Sequence, residues 1–333
     1  MKSKRVSITD IAKELQISPS TVSRALNDTG KISEPRKKEI LDLAKKMGYR
    51  PNPFAKGLVQ NKTKTIGLLI PEFTHHFYSR MLEGIESVTS KAGYQLIICT
   101  SNEKQKQEIK ACQTFLNSRV DGVLATVCKK NEKVDHLQEI INSDIQLVFM
   151  DRQCEELEAS HVISNDFDGA FQAVEYLIKN RYKRTAHIKG PKNLSTTFNR
   201  LMGYKESLKK ANLSVESELI LESDDPYLLK ENLKNLLMEK SIDSLFAYSD
   251  YLAYDAYQVA FEIGLKIPQD LAIIGFADEP ISQYISPSLS TVNQKPFEMG
   301  AQAAQILLNQ IKNSETPCEY ISLQTELMIR DSI

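Results

Sequence analysis

SITDIAKELQISPSTVSRALND, residues 7–28, carries two short helices and the tight turn between them. Ser7 stands where a helix N-cap accepts an amide, and Asp10, three residues on, makes a capping-box-like pair with it. Ile8, Ile11, Ala12 and Leu15 then fall on one face at helical spacing. The pattern breaks at Gln16-Ile17, and Ser18-Pro19 supplies a second N-cap with proline at the first helical position. From Pro19 to about Asn27 the spacing predicts a helix that turns Val22 and Leu26 inward and Ser20, Thr21, Ser23, Arg24 and Asn27 outward. Asp28-Thr29-Gly30 ends it. Ser33-Glu34-Pro35 opens a third helix with Ile40, Leu43, Ala44 and Met47 along its core stripe, and Gly48 closes that one. Helices joined by so short a turn must cross steeply, which is a helix-turn-helix. The outward face of the second helix offers hydroxyls, an amide and a guanidinium, donors suited to phosphates and base edges. A head built only for packing would show Glu/Lys pairs there.

Charge supports that reading. Residues 1–62 hold 14 Lys/Arg against 6 Asp/Glu, and the remaining 271 hold 28 against 37, although the whole chain is only -1. A basic head on an acidic body implies a nucleic-acid-binding module fused to something else, the bland alternative being a solvated basic face. At 333 residues the chain has room for two or three domains. Hydrophobic residues at 41% and charged ones at 26% are the mix of a globular protein. No apolar run nears the ~18 residues of a bilayer span, so no membrane partner is expected. The opening MKSKRVSITDIAKEL has no signal-peptide core, which argues against export and for the cytoplasm. Five cysteines (Cys99, Cys112, Cys128, Cys154, Cys318) lie far apart with no C-x-x-C, so reduced thiols and no structural zinc are expected.

From Thr65 onward, apolar runs alternate with amphipathic helical patterns. Strands are expected at 66–70, 95–99, 122–127, 147–150, 185–188, 244–248 and 271–275. Helices are expected at 81–92, 108–117, 134–141, 170–179, 203–211, 228–238 and 252–262. Near-continuous apolar strands separated by helices are the pattern of parallel sheets covered on both faces, and this length suits two doubly wound lobes better than one sheet. The body shows no Gly-rich dinucleotide fingerprint, Walker loop or G-x-S-x-G elbow, so no enzyme and no cofactor is expected. His75-His76 lacks a third ligand at a telling spacing, so no metal is expected either. Asp224-Asp225 and Asp278-Glu279 read as solvated loop charges.

Residues 7–28, followed by GYRPNPFAKGL at 48–58, strongly resemble the head of lac-repressor-family bacterial transcription regulators, and the likeness continues over essentially the whole chain. The resemblance implies an α/β protein: an all-α helix-turn-helix head plus two doubly wound parallel-sheet lobes of periplasmic-binding-protein type around a ligand cleft. Its implied organisation is a DNA-binding head at 1–50, hinge helix and linker at 51–62, an N-terminal lobe from 63–163 and 293–322, and a C-terminal lobe from 164–292 and 323–333. It makes the second helix the reader of the major groove. Ser7, Thr21, Ser23 and Asn27 then position the DNA backbone, while Pro19, Ser20 and Arg24 face bases, Arg24 being suited to guanine. Asn52, Ala55, Lys56 and Leu58 fall in the hinge, with Leu58 matching a leucine that wedges into the minor groove. Gly57 departs from good helix formers there and costs the hinge ~1 kcal/mol relative to Ala.

Open α/β lobes bind ligands beyond the carboxyl ends of their strands. There lie His76-Phe77-Tyr78, Asp151, Ser249-Asp250 and Ala277, a mixture of carboxylates, hydroxyls and aromatics that suits a sugar pocket. Arg200 matches the family arginine that grips ligand hydroxyls or a carboxylate, and Arg152 beside Asp151 would suit an acidic sugar. Ala277 stands where the family usually has Asp or Asn, Ser249 replaces a frequent Asn, and His75-His76 replaces Asn-Pro. The expected protein is a transcription regulator, a repressor, binding a pseudo-palindromic operator in double-stranded DNA as a homodimer, with affinity set by a small effector, a sugar or sugar acid. No leucine heptads follow Gln324, so no coiled-coil tetramer is expected. Competing readings are a sugar-binding protein of transport or chemotaxis and a sugar-processing enzyme.

Overall fold

The computed structural model describes residues 6–30, 32–49, 63–129, 133–223, 225–239 and 242–333, and the chain divides into two units, Met1–Thr63 and Lys64–Ile333. In the first unit α1 (Ile8–Glu14), α2 (Pro19–Asn27) and α3 (Glu34–Lys46) surround a small core of Ile11, Ala12, Val22, Ala25, Ile40 and Ala44. The capping box at Ser7–Asp10 is formed, and Ser18 caps α2 with Pro19 at its first position. The inward face of α2 differs from expectation by one residue. Ala25 joins Val22 in the core and Leu26 sits at its edge, partly buried, because the methyl of Ala25 lets the neighbouring helices approach where a leucine would hold them apart.

The second unit contains two parallel sheets. The larger has the order β11-β5-β4-β3-β1-β2, from β1 (Thr65–Ile70), β2 (Gln95–Thr100), β3 (Gly122–Ala125), β4 (Gln146–Met150), β5 (Ser160–Ser164) and β11 (Tyr320–Leu323), all paired in parallel. Alternation divides each strand between two cores. Ile66, Leu68 and Ile70 face α4 (His76–Thr89) and α11 (Pro296–Lys312), whereas Leu69 and the odd-numbered residues of β3 and β4 face α5 (Gln105–Ser118) and α6 (Asp135–Asn142). Helices α4 and α11 cross at glycines. A Cβ on Gly84 would run into the carbonyl of Phe297, and one on Gly300 into the carbonyl of Met81.

The smaller sheet, order β7-β6-β8-β9, comprises β6 (Thr185–Ile188), β7 (Ile220–Leu221), β8 (Ser244–Ala247) and β9 (Ala272–Ile274), again all parallel. It is covered by α7 (Asp166–Lys179) and α8 (Ser195–Lys210) on one face and by α9 (Pro226–Glu239) and α10 (Asp250–Glu262) on the other. Beyond it β10 (Thr291–Asn293) pairs antiparallel with β12 (Glu326–Met328). The chain passes between the lobes three times, from β5 to α7, from β10 to α11 and from β11 to β12. Of α4 through α10, all but α6 begin two to eight residues before the expected start, and α6 begins one residue after it.

Candidate functional sites

On the head, Pro19, Ser20 and Arg24 are exposed, and Thr21, Ser23 and Asn27 are half-buried. The start of α2 is a knot of hydroxyls. Ser18 Oγ accepts from the Thr21 amide at 3.2 Å and lies 2.7 Å from Ser20 Oγ and 2.9 Å from Thr21 Oγ1. At its other end Asn27 Nδ2 donates to the Ser23 carbonyl at 2.9 Å, and Asp28 closes the helix in the left-handed conformation. Ser7 is engaged in its own cap, its amide donating to Asp10 Oδ2 at 2.8 Å. Asn52, Ala55, Lys56 and Leu58 lie outside the described residues.

In the body, a cavity of about 500 Å³ opens between the two sheets at the carboxyl ends of their strands. One lobe contributes Phe77, Tyr78, Glu103, Asp151 and Arg152; the other contributes Arg200, Tyr248, Ser249, Phe276 and Ala277; Gln294 comes from a crossing. Several of these stand where strands end in left-handed backbone: Glu103 (φ 56°), Asp151 (φ 65°) and Ala277 (φ 130°). Ala277 is the extreme case, a residue with a Cβ in a region that favours glycine, and such strain persists only where the surroundings over-determine it.

Two guanidiniums dominate the walls, and each already has its anion. Arg200, 4% exposed, holds Asp166 through Nε and Nη2 at 2.8 Å, donates from Nη1 to the Tyr248 carbonyl at 2.6 Å, and lies 3.8 Å from the Phe276 ring centre. Arg152 grips Glu103 at 2.7 and 3.1 Å and donates to the Val127 carbonyl and the Tyr78 hydroxyl. Burial pushes the Asp166 carboxyl up to about 6, against the pull of Arg200. It raises Asp151 too, while the hydrogen bonds from Arg152 hold Glu103 below the usual range despite its burial. The cleft therefore holds two guanidiniums each already paired with a carboxylate, with its hydrogen-bonding capacity largely organised in advance.

Two expected effector residues lie elsewhere. The His76 side chain is exposed and points away from the cavity lining, which His75 joins instead, paired with Glu72 at 2.9 Å and edge-on to Tyr251 at 4.4 Å. Asp250 is fully buried behind the cavity. It accepts from the Glu279 amide (2.7 Å), Ser282 Oγ (2.8 Å) and Thr291 Oγ1 (2.5 Å), a knot that fixes the loop after β9. Asp278 and Glu279 are not solvated loop charges either. Asp278 pairs with Arg330 at 2.5 Å, and Glu279 accepts the amides of His76 and Phe77 at 3.2 and 3.4 Å, capping α4 across the cleft. Asp224 lies outside the described residues. Phe77, Tyr78, Asp151, Arg200, Ser249 and Ala277 do line the cavity together. Sequence reading missed Tyr248 and Phe276, although each directly precedes a residue it singled out. It missed Asp166 because β5, whose end positions it, reads SHVIS and shows no apolar run. Among the described residues no group of three His, Cys, Asp or Glu side chains is placed to hold a metal ion, and no helix is long and apolar enough to cross a membrane.

A steep pair of helices with a polar outer face, joined to two parallel-sheet lobes that close on a lined cleft, defines a DNA-binding transcription regulator with a ligand-binding body. Comparison with known proteins agrees. Residues 7–52 match the lacI family of bacterial regulatory proteins, and residues 174–333 match the periplasmic binding protein-like domain. The transcriptional repressor PurR of Vibrio campbellii is 31% identical over 335 residues, 98% of each chain, and the ribose operon repressor of Haemophilus influenzae is 32% identical over 97% of each. Of solved structures, the regulator CelR in complex with cellobiose has a TM-score of 0.75 at 26% identity over 99% of this chain and 100% of that one. The lac repressor dimer bound to operator has a TM-score of 0.86 at 20% identity over 99% of each, a likeness of fold. This chain belongs to the lacI family. Its relatives are transcription regulators rather than transport proteins or enzymes.

Proposed function

We propose that the protein is a cytoplasmic repressor that binds a pseudo-palindromic operator as a homodimer and releases or tightens that grip when a carbohydrate enters the cleft. Helix α2 enters the major groove, with Pro19, Ser20 and Arg24 toward bases and Ser7, Thr21, Ser23 and Asn27 toward phosphates. Asn52, Ala55, Lys56 and Leu58 act in the hinge, Leu58 as a wedge between central base pairs. Effector contacts come from Phe77, Tyr78, Asp151, Arg200, Ser249 and Ala277.

The observation that carries the effector reading is the Arg200–Asp166 pair flanked by the rings of Tyr248 and Phe276 on the cavity wall. Aromatic faces beside pre-oriented polar groups suit a ring that is apolar on its face and hydroxylated at its edge. The relative CelR is solved with cellobiose, and others are named for a ribose operon, which supports the same class. A sugar acid fits less well, since both Arg152 and Arg200 are already neutralised. The test is a thermal-shift screen of neutral sugars and sugar acids on the full chain, with gel shifts on its upstream DNA with and without each hit. A neutral sugar that raises the melting temperature and changes operator affinity is expected. Stabilisation by sugar acids alone would overturn the neutral reading, and no retardation of the upstream DNA would overturn the operator.

A further inference from the structure

A second cavity, about 430 Å³, adjoins the effector cavity and shares Lys129, Arg152 and Leu194 with it as common wall. Either volume lies within the roughly 300–1,000 Å³ of small-molecule sites. Both lobes build the second chamber, one through the turns after β3 and β4 and the other through the turn before α8. The Gln153 amide donates to Ser195 Oγ at 3.1 Å across the lobe boundary, so closing the cleft closes both chambers at once. Their linings differ in kind. The effector cavity has five Phe and Tyr side chains, Phe77, Tyr78, Tyr248, Tyr251 and Phe276, whereas the second chamber has none among its described lining residues. Its charges balance, Lys129 and Lys133 against Asp135 and Glu156, and the Arg152 on the divide is held by Glu103.

We propose that this chamber is a second subsite of the effector cleft, taking a further neutral, hydroxyl-rich unit of a glycoside whose first ring lies against Tyr248. A polar chamber without an aromatic platform or a net charge favours hydroxyls over an apolar aglycone or a phosphate. The inference rests on the carbohydrate reading above. It is tested by calorimetry on the full chain with glucose, galactose, xylose and ribose, with cellobiose, maltose and lactose, and with glucose 6-phosphate, using wild type and Glu156→Trp. Glu156 is exposed at the chamber wall, so an indole there fills the chamber without entering the core; Lys133→Trp does the same from another exposed position. A disaccharide is expected to bind at least about tenfold tighter than either sugar it contains, and both fillers should erase that advantage while leaving the single sugar within about twofold. Single sugars binding as tightly as disaccharides, or an advantage that survives both fillers, overturns the second subsite and leaves the carbohydrate reading standing. Glucose 6-phosphate outbinding all neutral sugars overturns the neutral class. Silence from the whole panel overturns the carbohydrate reading itself.

Discussion

Arg200 does two jobs, and its removal separates them. The guanidinium faces the cavity, but it also neutralises Asp166, a carboxylate with no route to bulk water. Arg200→Ala is expected to lower effector affinity by on the order of 30- to 1,000-fold and to destabilise the body by about 3–5 kcal/mol, because an unpaired buried charge remains. Adding Asp166→Asn should recover much of that stability and none of the affinity. Denaturant titration and calorimetry on both variants check this, and a double variant as unstable as the single one would refute the pairing argument. Asp250 gives a second residue-scale test. Burial raises its carboxyl to about 6, over the opposing hydrogen bonds from Thr291, Glu279 and Ser282. With the folded pKa above the unfolded one, near 3.9, the folded state holds the extra proton between the two, so the contribution to stability is full at low pH and is lost as pH rises through 6. Asp250→Asn does not titrate. Wild type should therefore lose on the order of 2–3 kcal/mol relative to the variant between pH 4 and pH 7, read from denaturation midpoints; parallel curves would show an unshifted carboxyl.

At the scale of elements, one contact holds the larger lobe together and another ties it to the opposite lobe. The α4–α11 crossing depends on the bare backbones of Gly84 and Gly300. Gly300→Val should cost more than about 2 kcal/mol, since neither helix can retreat without opening the core behind Met81 and Met299; an unchanged midpoint would mean the helices slide freely. Glu279 ties α4 to the opposite lobe by capping two amides. Glu279→Ala should weaken closure, seen as a larger radius of gyration in scattering of the effector-free protein, with a loss of about 0.5–2 kcal/mol. Unchanged scattering and affinity would show the cap to be incidental. Much of this was readable beforehand. The caps at Ser7 and Ser18 and the strands of β1, β3, β4 and β8 announce themselves through side-chain chemistry and apolar runs. Other elements carry no such signal. Ser160–Ser164 is a central strand whose polar residues are satisfied by distant partners, such as Gln310 Nε2 and the Glu319 amide on Ser160 Oγ. β10 and β12 are three residues each and exist by pairing with one another. The site was legible in the same measure. Residues past recognisable strands were found in part, with Glu103, Tyr248 and Phe276 overlooked, and Asp166, past an unrecognised strand, was not found. Local pattern also could not tell Asp250, turned inward to anchor a loop, from the adjacent Ser249 on the cavity wall.

For the whole molecule, one small reading head buries little DNA, so tight and specific binding calls for two heads on a two-fold site. Light scattering should give a dimer at micromolar concentration, and a monomer that still bound operator tightly would refute the proposal. Leu58→Ala should weaken operator binding while leaving most of the salt-dependent affinity for random DNA, which rests on the 14 Lys/Arg of residues 1–62. Equal losses on both DNAs, measured at two salt concentrations, would remove Leu58 from the wedge role. The three crossings between the lobes bear on how the protein is made. Neither lobe of the body is finished by contiguous chain: β11 adds the outer strand of the larger sheet beside β5, and in the smaller lobe β12 pairs with β10 and Ser332 exchanges hydrogen bonds with Ile273. The head, by contrast, has its entire core within residues 6–49. During synthesis the head therefore leaves the ribosome able to fold and to meet DNA while both lobes still lack strands that lie some 250 residues downstream. A nascent chain stalled before residue 320 carries a complete reading head on a body that lacks β11 and β12, and a message cut short there would leave the cleft between two unfinished lobes.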